Sequence, residues 1–156
     1  DGIDAVYLEQ ISGRDAIPVK SHTGGRLPAH VSSGGLVLLA HAKKEALDAV
    51  VAAGLRPMTA NSISDETTLR RTLHEIRRRG HLVGHQMVDQ HSIAVAAPLL
   101  DTTGVIAALS VVVSPATPTA PQIPAVMATA RGISRALAGA PRSPASLPTT
   151  RTGGPR

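Results

Sequence analysis

Apolar and polar positions along the chain predict strands first, then helices, then strands again. Ile3 to Ile11 (IDAVYLEQI) reads as a first strand, followed by a turn at Ser12-Gly13-Arg14-Asp15. Ile17 to Thr23 reads as a second, weaker strand ending at Gly24-Gly25. From Pro28 to Ala40 an apolar segment contains Ser32-Ser33-Gly34-Gly35, and a helix is expected to start near Ser32 or Ser33. Lys43 to Ala53 predicts a second helix, with Ala46, Leu47, Val50 and Val51 at helical spacing and Gly54 as its stop. A third helix follows Ser64, read as its N-cap. Asp65 and Glu66 sit in its first turn, Leu69, Leu73 and Ile76 form one stripe, and Arg77-Arg78-Arg79 fill the last turn before Gly80. The arginine triplet is read as a solvated helix end.

After Gly80 the pattern returns to strands at Leu82 to Val88, Ser92 to Leu100 and Val105 to Val113, the last two joined by a turn at Asp101-Thr102-Thr103-Gly104. Those two runs are nearly continuous apolar and predict central strands covered by helices. Pro98 inside one of them implies a bulge or an unpaired position. A final helix is expected from about Ala120 to Leu137, and residues 140–156, rich in proline and without acid, are read as a disordered tail. Segregated helices and strands favour an α+β fold with an antiparallel sheet and helices packed beside it.

Composition sharpens the picture. Aromatics make up 1% of the 156 residues, and Tyr7 is the only one, so the core is built from Ala, Val, Leu and Ile. The net charge of +5 suggests nucleic acid at first sight, yet residues 1–101 carry 11 basic and 11 acidic side chains. The excess comes from Arg131, Arg135, Arg142, Arg151 and Arg156, and belongs to the end of the chain rather than to a patch on the fold. Without cysteine there is no disulfide, thiolate metal site or cysteine nucleophile. No apolar run approaches the roughly 18 residues that span a bilayer, no signal peptide is visible, and a cytoplasmic protein is expected. The start at Asp1, without Met and directly before a strand-like pattern, reads as that of an excised piece.

Candidate chemistry is sparse. His81 and His85 share a face of one predicted strand and His91 follows in the next turn, but Asp89 is the only nearby carboxylate; surface histidines are the simpler reading, and no metal or other cofactor is expected. His30 with Ser32 or Ser33 suggests a base and a nucleophile, yet an orienting acid is missing and the serines are more simply helix caps. The same Ser32-Ser33-Gly34-Gly35 run has a non-covalent reading. A helix N-terminus offers free amide donors and the positive end of the dipole to a small anion, and glycine lets a ligand approach the backbone. Dinucleotide and P-loop patterns are absent.

Gly24-Gly25-Arg26-Leu27-Pro28-Ala29-His30-Val31-Ser32-Ser33-Gly34-Gly35-Leu36-Val37-Leu38-Leu39-Ala40 resembles the effector-domain signature of IclR-family transcriptional regulators, Gly-x-Arg-x-Pro-Leu-His-x-Ser/Thr-Ala-x-Gly-Lys-Ala-Leu-Leu-Ala. Three further blocks agree in order: Ser62-Ile63-Ser64-Asp65 to Leu69 before the Leu73, Ile76-Arg77 and Gly80 helix; Val95-Ala96-Ala97-Pro98-Leu99-Leu100-Asp101 with Gly104; and Ala107-Ala108-Leu109-Ser110-Val111. The resemblance covers residues 3–138 and implies a GAF-like effector-binding domain over 1–139, with an antiparallel sheet flanked by helices. In such regulators an N-terminal winged helix-turn-helix, absent from this chain, reads DNA, while this domain binds a small, often carboxylate-bearing metabolite and supports a homodimer or homotetramer.

Carried over position by position, the resemblance assigns Val19 and Leu27 to an apolar wall and Ser33 and Gly34 to the ligand carboxylate. Gly84, Ser92, Ala94, Ser110 and Val112 complete the pocket from the late strands. Ser33 replaces the family's Ala, adding a hydroxyl, and Leu36 replaces its Lys, losing a charge. His91 replaces a Gly, and one residue fewer than usual after Gly104 leaves the register of Ser110 and Val112 open. The expected function is therefore non-enzymatic: sensing a small acid that modulates DNA binding, in repression or activation, with no contact to membrane. With Tyr7 as the sole aromatic, a small acid is favoured over a large stacked ring. A hydrolase using Ser33 and His30, or a pure oligomerisation module, are the alternatives.

Overall fold

A computed structural model describes residues 1–14 and 16–139. The expected turn at Ser12 to Asp15 therefore lies partly, and the expected disordered tail at 140–156 wholly, outside the described residues. In chain order the elements are β1 (Asp4–Val6), β2 (Arg26–Pro28), α1 (Ser33–His41), α2 (Lys44–Ala53), α3 (Glu66–Arg79), β3 (Leu82–His85), β4 (Ile93–Asp101), β5 (Gly104–Val113) and α4 (Gln122–Gly139). The fold is α+β. One antiparallel sheet has the order β3-β4-β5, and β1 and β2 form a separate antiparallel pair.

The sheet is the middle of three layers because both faces of β4 are apolar, as expected of a fully covered strand. Ala96 and Ala108 on one face join a core formed by Leu36, Val37, Leu39, Val50, Leu69, Leu73 and Ile76 from α1, α2 and α3. Val95 and Ala97 on the other face meet Val126 and Ala130 of α4. β4 is central as predicted, but β5 is an edge of the described sheet. The irregularity expected from Pro98 is present as a register shift between Leu99 and Leu100; Pro98 itself pairs with Ala108.

The first two predicted strands need correction. Only Asp4–Val6 of the Ile3–Ile11 run is strand, Ile17–Thr23 contains no strand, and the partner of β1 is Arg26–Pro28. The Tyr7 amide still donates to the Gly25 carbonyl at 3.0 Å, and the Gly24 amide donates to the Tyr7 carbonyl at 2.7 Å. Gly24 then takes φ +80, which turns the chain out of the ladder. Beyond that point no layer covers the apolar residues, and Leu8 and Ile11 are 77% and 92% exposed.

Two helix-end assignments also change. The N-cap of α3 is Asp65, not Ser64: its carboxylate accepts the Thr68 amide at 2.8 Å. Arg78 and Arg79 pair with Glu75 at the exposed helix end, as expected of a solvated triplet. Arg77 instead donates to the Ala40 carbonyl at 2.7 Å and ties the end of α3 to the last turn of α1.

Leu73 is 1% exposed at the centre of the three-helix core, so Leu73→Ala should lose about 2–5 kcal/mol of stability, measured by urea denaturation. Burial, and then the nearby Arg77 charge, hold His41 below its ordinary 6.5. The unfolded chain therefore takes up that proton first as pH falls. Its contribution to stability is complete above about 6.5 and declines below, a decline that His41→Gln should remove from the pH dependence of Tm.

Candidate functional site

The segment leading into α1 is drawn tight before the helix begins. The Ala29 amide donates to the Ile3 carbonyl at 3.0 Å and the Val31 amide to the Pro28 carbonyl at 3.1 Å. Ser32 caps the helix, its hydroxyl accepting the Gly35 amide at 3.1 Å. Gly35 is obligatory here: a Cβ would stand 2.6 Å from Ala29 Cα and collide with the Ala29 carbonyl. The Leu36 amide bonds the Ser32 carbonyl, so the amides of Ser33 and Gly34 are the ones left without an intrahelical acceptor. No acidic side chain occupies the first turn of α1. The helix thus presents two free donors and the positive end of its dipole with nothing to neutralise them.

The sheet supplies the floor. Across the strands Gly84 pairs with Ala94 and Ala94 with Val112; in the adjoining row Leu82 pairs with Ala96 and Ala96 with Ser110. Gly84, Ala94, Ser110 and Val112 therefore share the sheet face that looks toward α1. Ser33 and Gly34 rest on this face. A Cβ on Gly84 would collide with Ser33 Oγ and stand 3.0 Å from Met87 Sδ, and one on Gly34 would touch Ala108 Cβ at 3.8 Å. Ser33 is only 6% exposed, yet its hydroxyl makes no hydrogen bond among the described residues. No fully enclosed side-chain oxygen among them lacks a partner, so Ser33 Oγ opens onto accessible space.

Six of the nine residues singled out in the sequence are thus brought to one place. The bulge at Leu99/Leu100 sets the register that puts Ser110 and Val112 on the α1 face, with Val112, at 36% exposure, on the rim. Ser92 is buried beside them at the mouth of the β3–β4 hairpin, where its carbonyl accepts the Gln86 amide at 2.9 Å. Leu27 lies in β2 opposite Ala5, and Val19 is half-buried in the irregular segment between β1 and β2. Neither belongs to the sheet that carries the others.

The sequence reading missed the loop between β3 and β4. Gln86 takes φ +52, uncommon for a residue with a side chain, and Met87 follows it over Gly84 and Ser33. Thr59 and Ser62 from the α2–α3 connection hold this turn: Thr59 Oγ1 donates to the Gln86 carbonyl at 2.7 Å and Ser62 Oγ to the Met87 carbonyl at 2.6 Å. Ser62 Oγ in turn accepts the amides of Met58 and Thr59. From the other side Lys20 Nζ reaches the Val88 carbonyl at 3.4 Å. The only sequence signal was the cluster of small hydroxyl residues at 59–64, which also suits an ordinary turn.

The remaining candidates are accounted for differently. His30 is buried with Nε2 3.0 Å from the Arg56 carbonyl, and neither Ser32 nor Ser33 bonds to it among the described residues. Burial raises the Tyr7 phenol above its ordinary 10.0, partly offset by the adjacent Ser32 hydroxyl, so the sole aromatic stands at the α1 cap. Among the described residues no three His, Asp or Glu side chains gather closely enough to hold a metal ion. No helix among them is long and apolar enough to cross a membrane.

Residues 1–138 match the family model for the bacterial transcriptional regulator IclR C-terminal domain. The p-hydroxybenzoate hydroxylase transcriptional activator of Acinetobacter baylyi is 35% identical over 106 residues, 67% of this chain and 39% of that protein. The HTH-type transcriptional repressor AllR of Klebsiella pneumoniae is 31% identical over 143 residues, 88% of this chain and 53% of the repressor. The chain thus spans about two-fifths to half the length of these relatives, which are regulators and not enzymes. Among solved structures, an IclR homolog from Microbacterium hydrocarbonoxydans complexed with 4-hydroxybenzoate superposes with a TM-score of 0.84. It is 31% identical, with 88% of this chain and 57% of that one covered.

Removing the hydroxyl at the centre of the loop clamp tests its role. Ser62→Ala removes the shorter of the two donors to the Met87 carbonyl, leaves the Met58 and Thr59 amides without their acceptor, and should cost about 1–3 kcal/mol. Amide hydrogen exchange at residues 86–91 should accelerate relative to α4; unchanged protection there would mean the loop is held by other contacts.

Proposed function

The chain belongs to the IclR family of bacterial transcriptional regulators, and we propose that it is the part of such a regulator that senses a small organic acid. The observation that carries this reading is the unpartnered hydroxyl of Ser33, which opens onto accessible space beside the free amides of Ser33 and Gly34 and faces a floor with no side chain at Gly84. A carboxylate seated there accepts those donors and complements the helix dipole. Its body lies along Ala94, Ser110 and Val112, with Ser92 at one end and Met87 above. Val19 and Leu27 form the outer apolar wall. A body the size of one ring suits walls of Ala and Val, in keeping with the 4-hydroxybenzoate held by the Microbacterium relative.

In the whole protein, a cytoplasmic regulator, DNA is read by a winged helix-turn-helix N-terminal to this domain, and copies of the domain assemble as dimers or tetramers. Ligand acts by favouring one arrangement of those copies over another. A coupling of about 1–3 kcal/mol between ligand and DNA is sufficient for regulation.

A thermal-shift screen of small aliphatic and single-ring carboxylic acids tests the site. At least one acid should raise Tm, and Ser33→Arg, which fills the anion site with a bulky side chain, should remove that rise. Gly84→Ala, which drives a methyl group into Ser33, should weaken the same acid by about tenfold or more. If no acid raises Tm, or if Ser33→Arg leaves the shift intact, the carboxylate site is wrongly placed.

A further inference from the structure

A second recess lies along the β3 edge of the sheet. It is an open cleft of about 370 Å³ between α3 and the edge strand β3. Its floor is apolar, made by Ile76, Leu82 and Val83. Its rim carries basic side chains. Arg71 and Arg79 come from one stripe of α3, spaced eight residues apart, while His81 precedes β3 and His85 ends it.

The rim arginines are only partly paired within the protein. Glu75 is the one carboxylate lining the cleft, and it is shared between Arg79 at 3.0 Å and Arg78 at 2.7 Å. Arg71 helps to lower the Asp65 carboxyl from a distance, but it forms no ion pair or hydrogen bond among the described residues. Neither does His85. His81 uses Nδ1 on the Arg79 carbonyl at 3.2 Å, which leaves Nε2 free. Apolar side chains rimmed by uncommitted donors from two elements offer a small organic anion both a surface and a partner for its charge.

We propose that the α3–β3 cleft is a second ligand site, which takes a small organic anion with its apolar body on Ile76, Leu82 and Val83. Its carboxylate or phosphate group lies between Arg71 and His85. The bidentate fork of Arg71 supplies the directional contact, and His85 closes the opposite side. This site does not depend on the α1 site, since the two share no residue.

The test is an NMR titration of the 15N-labelled chain with phenyl phosphate and, in a second arm, benzoate, with inorganic phosphate as the control. At least one organic anion should shift the amides of residues 71–82 in a saturable way. The shifts should persist in Ser33→Arg, which separates this site from the α1 site. The exposed double variant Arg71→Ala/His85→Ala should weaken the same anion roughly tenfold or more without lowering Tm. Equal shifts in the double variant, shifts confined to Ser33 and Gly34, or equal response to inorganic phosphate would each overturn the proposal. So would ligand-independent broadening of residues 71–82 with rising protein concentration, because a second copy would then occupy the cleft.

Discussion

The N-terminus of α1 lies against backbone and single hydroxyl groups instead of against large side chains, and the rest of the domain is arranged around that approach. Gly35 has no room for a Cβ because Ala29 folds back beneath it. Gly84 has none because Ser33 occupies the space. Both absences are needed to bring two free helix amides down onto the sheet. Burying such a helix end is costly when its donors stay dry and unpaired. Leaving Ser33 Oγ open to accessible space keeps that cost low and leaves the donors able to meet an anion.

The near absence of aromatic residues belongs to the same design. A core of Leu, Val, Ile and Ala permits helices to pack closely on both faces of β4, with Ala96 and Ala97 at adjacent positions serving opposite layers. The one aromatic stands beside Ser32 at the start of α1. Support reaches the site from further away through polar groups. Ser62 and Thr59 brace the loop that carries Met87 over it, and Arg77 fastens the far end of α1 through the Ala40 carbonyl. These contacts join α1, α3 and the β3–β4 loop into one unit.

How much of this was legible in the chain can be argued from particular residues. The stripe Leu69, Leu73 and Ile76 marked α3 and its buried face, since helical periodicity is a local property. The serine pair Ser32-Ser33 marked the start of α1 through capping chemistry, and the structure selects Ser32 as the cap. The segment Ile17–Thr23 misled, because an alternating pattern cannot tell whether a partner strand or a covering layer exists; the partner of β1 is Arg26–Pro28. Ser64 and Asp65 are both competent caps, and only the geometry of the incoming chain selected Asp65. Met87, Thr59 and Ser62 meet across 25 to 28 residues of sequence, a distance at which no local pattern carries information.

By itself, then, the order of residues determined the α+β class, the helix faces and the small side chains at Gly34, Gly35 and Gly84, because each follows from local propensity, periodicity or the lack of a Cβ. The IclR signature stretched across those same elements. Tertiary structure alone decided which of them meet. The Leu99/Leu100 bulge set Ser110 and Val112 on the α1 face, the β3–β4 loop was clamped from the α2–α3 connection, and Arg71 was brought across from His85. Those outcomes depend on register and on contacts between distant segments, which the folded sheet fixes and a linear pattern does not contain.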